Sequence, residues 1–125
     1  MHENDISGRI LTAAFRVHTA LGSGLLESVY EAALAYELRK VELLVATQVP
    51  VPAVYEEVRL ELGFRLDLLV EDRVIVEIKS VQTLLDVHHK QLLTYLKLSN
   101  RKLGLLLNFN TASLKDQIVR LANNL

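Results

Sequence analysis

Asp67, Glu77 and Lys79 are the residues of this chain whose types and spacing best suit chemistry. Glu77 and Lys79 stand two apart in VIVEIKS, residues 74–80, an otherwise apolar run with the composition of a strand. Side chains alternate along a strand, so both charges share a face and point away from Val74, Val76 and Ile78. An unpaired charge buried in a sheet costs roughly several kcal/mol, so the pair requires water, each other or a ligand.

Whether Asp67 joins them is a question of hairpin register. A two-residue loop at Glu71 and Asp72 pairs Val70 with Arg73 and leaves Asp67 across from Val76, on the wrong side. A three-residue loop, Glu71 to Arg73, pairs Val70 with Val74 and sets Asp67 across from Glu77. Two carboxylates in that relation repel unless a cation lies between them, so the residues predict the three-residue register together with a metal. The plainer alternative is a solvated Glu77 and Lys79 ion pair on a half-exposed strand, and it stays open at this point.

Composition narrows the classes. Fourteen Lys and Arg against fifteen Asp and Glu leave a formal net charge of -1, without the basic excess of a protein that grips nucleic acid by charge alone. If phosphate is the substrate, a bound divalent cation has to bring positive charge. There is no cysteine, which excludes disulfides and thiolate metal sites and suggests an intracellular setting. No targeting segment or bilayer-length apolar run is legible, so a soluble, unprocessed cytoplasmic protein without membrane contact is expected.

The elements that must position these side chains follow from periodicity. The 125 residues, half of them apolar, suit one domain with its own core, and no repeat or linker divides them. Apolar spacing predicts helices over residues 5–21 and about 25–41, separated by GSG. Two prolines make residues 43–54 an extended edge segment. Residues 59–70 alternate, with Leu60, Leu62, Phe64, Leu66 and Leu68 on one face and Glu61, Gly63, Arg65 and Asp67 on the other. Residues 74–80 are the next strand, 86–99 a helix, 102–109 a buried strand and 113–124 a last helix. The expected fold class is α/β, a mixed four-stranded sheet flanked by helices in the order ααβββαβα, with the last two strands parallel through a crossover.

Two helices add polar groups. His88, Gln91 and Tyr95 form a stripe opposite Leu92, Leu93 and Leu96. Glu27 and Tyr30 lie one turn apart just after GSG, near a helix start.

With those residues in view, GLLESVY, RLDLLVEDRVIVEIKSV, HHKQLLTYLKL and LGLLLNFN together resemble the bacterial GxxExxY proteins of the PD-(D/E)XK nuclease superfamily. The resemblance runs from the first helix to the last, although Leu66 stands where the signature has Pro. It implies a restriction-endonuclease-like core and a Mg²⁺-dependent nuclease, with Mn²⁺ as a substitute and nucleic acid, DNA foremost, as substrate. It also implies that Glu27, Asp67 and Glu77 bind the metal, that Lys79 activates the attacking water, and that Gln91 lies beside these groups. Tyr30, His88 and Tyr95 are then expected at the substrate. A catalytically silent binding or interaction module on the same fold, and a homo-oligomer or partner-dependent subunit, are the alternative readings.

Overall fold

A computed structural model describes the backbone of residues 1–125 and the side chains at all positions except 61 and 62, so the faces expected for Glu61 and Leu62 lie outside the described residues. Helix α1 spans Glu3–Leu21 and buries Ile6, Ile10, Ala14 and Val17 at three- and four-residue spacing. His2 caps it, its Nδ1 accepting the Asn4 N–H at 3.0 Å. Gly22 ends it at φ +71°, a left-handed conformation that disfavours any side chain, with its N–H on the His18 carbonyl. Helix α2, Glu27–Lys40, turns Tyr30, Leu34, Ala35 and Leu38 inward.

The sheet is built from β1 (Val45–Tyr55), β2 (Val58–Val70), β3 (Val74–Lys79), β4 (Leu103–Asn108) and β5 (Ile118–Ala122), in that spatial order. Helix α3, Asp86–Ser99, carries the chain from β3 to β4, and these two strands are parallel while every other pair is antiparallel. Two cores result. Val74, Val76 and Ile78 of β3 pack with Leu103, Leu105 and Leu107 of β4 under α1 and α2. Ile75 and Leu106 face the other way, against Leu92 and Leu96 of α3. Gly104 lets α3 approach closely, since a Cβ there would stand 2.8 Å from Leu92 Cδ1. Covering both faces explains why β4 is apolar up to its last residue, Asn108, with all six of its residues buried.

The structure corrects the expected four strands and last helix. Residues Leu114–Gln117 form one 3-10 turn, and Ile118–Ala122 pairs with β4 as a fifth strand. The spacing of Leu114, Ile118 and Leu121 imitates a helix, yet Ile118 packs into the α1/α2 core and Val119 and Leu121 into the α3 core. That division between two faces is what a strand does. Without β5 the buried β4 would expose a row of unpaired backbone groups.

A second correction concerns β2. Leu66 and Leu68 do not share a face: Leu66 belongs to the α3 core and Leu68 to the α1/α2 core. Strand β1 turns over at the same level, with Val45 packed toward α1 and α2 and Val49 and Val51 toward α3. Thr47 pairs with Leu68 and Val49 with Leu66, so the change of face falls on Gln48 and Asp67. Gln48 accommodates it at φ +51°, a left-handed conformation rare for a residue with a long side chain.

Candidate active site

The β2–β3 hairpin adopts the three-residue loop. Val70 pairs with Val74, Leu69 with Ile75 and Leu68 with Val76, and the same register carried one step further sets Asp67 across from Glu77. Backbone pairing stops at that step. In its place the Asp67 N–H donates to Glu77 Oε2 at 2.9 Å, and the Ile78 N–H donates to Asp67 Oδ2 at 2.8 Å. Parting strands would orphan those two donors, and the carboxylates satisfy them. One oxygen of each acid, Asp67 Oδ1 and Glu77 Oε1, is left for other partners.

Burial makes this pair electrostatically tense. Glu77 is only 7 % exposed. Its carboxyl is pushed up to about 8, by burial first and then by the Asp67 charge, against the pull of the Asp67 N–H and of Lys79. Asp67 is raised as well, by burial above all and also by Glu27, while the Ile78 N–H and Lys79 draw it down. Lys79 thus acts on both acids from the same strand, as the alternation of β3 requires.

Helix α2 supplies further acids where the strands part. Glu27, its first residue, accepts the Ser80 N–H at 3.3 Å, and Ser80 Oγ donates to the Leu25 carbonyl at 2.6 Å, tying the helix start to the end of β3. Glu31, one turn further on, accepts from Gln48 Nε2 at 2.7 Å. The same amide stands 3.5 Å from Asp67 Oδ1. Burial and the Asp67 charge raise the Glu31 carboxyl, and the Gln48 donor lowers it. Neither Glu31 nor Gln48 was expected from the sequence. The spacing of Glu27 and Glu31 carried the signal for the first, since four residues along a helix share a face. Nothing marked Gln48, whose placement depends on the kink in β1.

From the opposite side α3 contributes Tyr95, which stacks on Phe64 of β2 with ring centroids 4.1 Å apart. Its hydroxyl is raised by burial and by the charges of Glu77 and Asp67, so it stands within their field. Gln91 is exposed one turn before it on the same helix face. His88 is half-buried at the helix start, with Nδ1 accepting the Leu85 N–H at 3.0 Å, which gives it a capping role.

Tyr30 corrects an expectation. It is fully buried and stacked on Phe109 at 4.6 Å. Its hydroxyl donates to the Gly22 carbonyl at 2.6 Å and accepts the Leu25 N–H at 3.2 Å, so no part of it is left for a substrate. Its work is to fix the loop that delivers Glu27. Tyr30→Phe keeps the stack but removes the partner of a partly buried carbonyl, and a loss of about 1 kcal/mol in urea denaturation is expected.

Asn108, also absent from the sequence reading, is wholly buried at the end of β4 beside Lys79. Its side chain accepts the Val81 N–H at 3.1 Å and donates to the Val81 carbonyl at 2.9 Å. The chain just past Lys79 is thereby held in place, as is the lysine itself through its carbonyl, which accepts the Phe109 N–H.

Among the described residues no group of three His, Asp or Glu side chains stands ready to hold a metal ion. The donor set nevertheless suits a hard divalent cation, because Asp67 and Glu77 each keep one oxygen outside their exchange with the strand backbone, Asp67 Oδ1 having only the Gln48 amide at 3.5 Å, and their mutual repulsion calls for positive charge.

A mixed sheet whose antiparallel strands part at a facing Asp and Glu, with Lys two residues beyond, defines the class of restriction-endonuclease-like folds. The chain belongs to the PD-(D/E)XK nuclease superfamily, which matches it over residues 4–121. No curated protein and no solved structure matches the chain. Among the described residues no helix is long and apolar enough to cross a membrane.

Proposed function

We propose that this nuclease-superfamily domain hydrolyses phosphodiester bonds of nucleic acid, DNA foremost, with Mg²⁺ or Mn²⁺, as a member of the GxxExxY group. The observation that carries this reading is the exchange of backbone pairing for carboxylate contacts at Asp67 and Glu77. Ordinary strand termini have no need of a buried and a half-buried acid in mutual repulsion. Asp67 and Glu77 would hold the cation, with Glu27 or Glu31 completing the set from α2.

When bound, the cation polarises the phosphodiester and makes water a better nucleophile at neutral pH. Lys79 orients that water and meets charge developing on the phosphate. Tyr95, braced by Phe64, has a hydroxyl in the field of the acids, which supports a role for it in contacting the substrate. The acids cannot attract a polyanion by themselves, so Asp67 and Glu77 would need the positive charge of a cation held between them before a phosphate could approach.

A second reading is a nucleic-acid or protein-binding module without turnover, and the balance of 14 basic against 15 acidic residues fits its protein-binding form, a partner-dependent subunit, as well as it fits a free-standing nuclease. Incubation with labelled single-stranded, duplex and branched DNA and with RNA separates the two. Cleavage in Mg²⁺ or Mn²⁺ that stops with chelator and is absent in Asp67→Asn supports the nuclease. Binding of any of these without cleavage in either metal supports the module.

A further inference from the structure

The Gln48 side chain is a long amide on a strained backbone, aimed at a place where acids of α2 and β2 meet. Its Nε2 donates to Glu31 Oε1 at 2.7 Å and reaches toward Asp67 Oδ1 at 3.5 Å. Glu31 comes from α2 and Asp67 from β2, and no backbone pairing ties these two residues to each other. Their like charges repel, and after burial the Asp67 charge also helps to raise the Glu31 carboxyl. The φ of +51° at Gln48 costs free energy that a residue with no task at this point would avoid.

From this placement we infer that Gln48 is a positioning residue that presents Glu31, together with Asp67, to the cation. The inference rests on the cation-dependent reading above and adds to it a definite place for Glu31 and the group that holds it. Glu31 has a long, rotamer-rich side chain on an open helix face, and without a partner the repulsion from Asp67 would turn it toward solvent. A neutral donor is the suitable partner. A lysine in its place would compete with the cation for the same oxygens, and a carboxylate would add to the repulsion. The amide organises both acids beforehand while leaving their charge intact, so that little ordering is left for the moment of binding.

The same kink that inverts β1 and β2 is what aims the amide. Thr47 and Val49 stay paired with Leu68 and Leu66 on either side, so the register runs unbroken across Gln48 and shifts only further on, between Pro52 and Ala53. Backbone shape and amide chemistry can therefore be separated by substitution. Gln48→Gly suits the left-handed backbone and removes the donor, whereas Gln48→Met keeps the bulk of the side chain and removes the donor.

The test is calorimetric titration of Mn²⁺ into the full chain, with thermal unfolding of each variant in chelator beside it. Both variants are expected to bind Mn²⁺ about tenfold or more weakly than the wild type, the usual size of a lost supporting hydrogen bond to a metal ligand. Gln48→Gly is expected to do so with a Tm equal to or above that of the wild type, so affinity and stability move apart. A role confined to shaping the strand predicts that Gln48→Gly binds like the wild type, and that result overturns the inference. Tighter binding by Gln48→Met also overturns it, because the amide would then be a competitor of the cation. A wild-type chain that takes up no Mn²⁺ overturns the cation reading itself and this inference with it, whereas equal binding by all three chains overturns the inference alone.

Discussion

Glu77→Gln is expected to make the cation-free protein more stable at pH 8 and at the same time to remove its activity. The Glu77 carboxyl titrates at 4.5 in the unfolded chain and at about 8 in the folded one. Between those values the folded chain keeps a proton that the unfolded chain has released, so stability falls as pH rises. The contribution is fully present below the unfolded value and lost as pH passes through the folded one. By pH 8 the loss amounts to roughly a few kcal/mol. A glutamine carries no charge and can still accept the Asp67 N–H through its carbonyl oxygen, so it removes the source of the loss and keeps the contact. Denaturant midpoints of the two proteins should therefore coincide near pH 4 and separate by pH 8, the variant being the more stable. Excess Mg²⁺ should close the gap from the wild-type side, since only the wild type retains the charge that the cation neutralises. A variant less stable than the wild type at pH 8 would refute the electrostatic account of Glu77.

Lys79→Ala is expected to lower cleavage by at least about 10²-fold, the scale seen when a single group that meets transition-state charge is lost. Lys79 pulls both Asp67 and Glu77 toward their charged forms from within the same cluster. Its removal takes a positive charge away from the place where a cation would bind, so Mn²⁺ affinity should hold or rise while turnover falls. Single-turnover cleavage at saturating Mn²⁺, read beside calorimetric titration of the same variant, distinguishes a loss of chemistry from a loss of metal. Cleavage at the wild-type rate would remove Lys79 from the mechanism.

Much of the site was legible because period-two alternation is rigid. Val74, Val76 and Ile78 had to share a face, and the choice between loop lengths then decided whether Asp67 met Glu77. The three-residue loop found in the structure is the one that repulsion and metal together predict. Residues 86–99 were legible for a similar reason, since a helix over a sheet shows its apolar stripe in the sequence, and Asp86–Ser99 is helical throughout.

What was hidden depends on tertiary context. Residues 118–122 read as helix because Ile118 and Leu121 fit that spacing, and only the presence of an otherwise unpaired β4 makes them a strand. Leu66 and Leu68 look alike in an alternating run, yet a kink sends them to different cores. That kink also brings Gln48 to Glu31, so the one local irregularity concealed both the face change and two polar members of the site. Tyr30 was misread in the other direction. It follows Glu27 by one turn, but a single turn of helix is enough to carry it from the rim into the core.

The claim at the centre of this account is that Asp67 and Glu77 form the cation site of a nuclease. Crystals soaked in millimolar Mn²⁺ and recorded at a wavelength where manganese scatters anomalously would test it most directly. An anomalous peak bounded by Asp67 Oδ1 and Glu77 Oε1 is expected. A peak bound elsewhere on the chain, or none at saturating Mn²⁺, would contradict it.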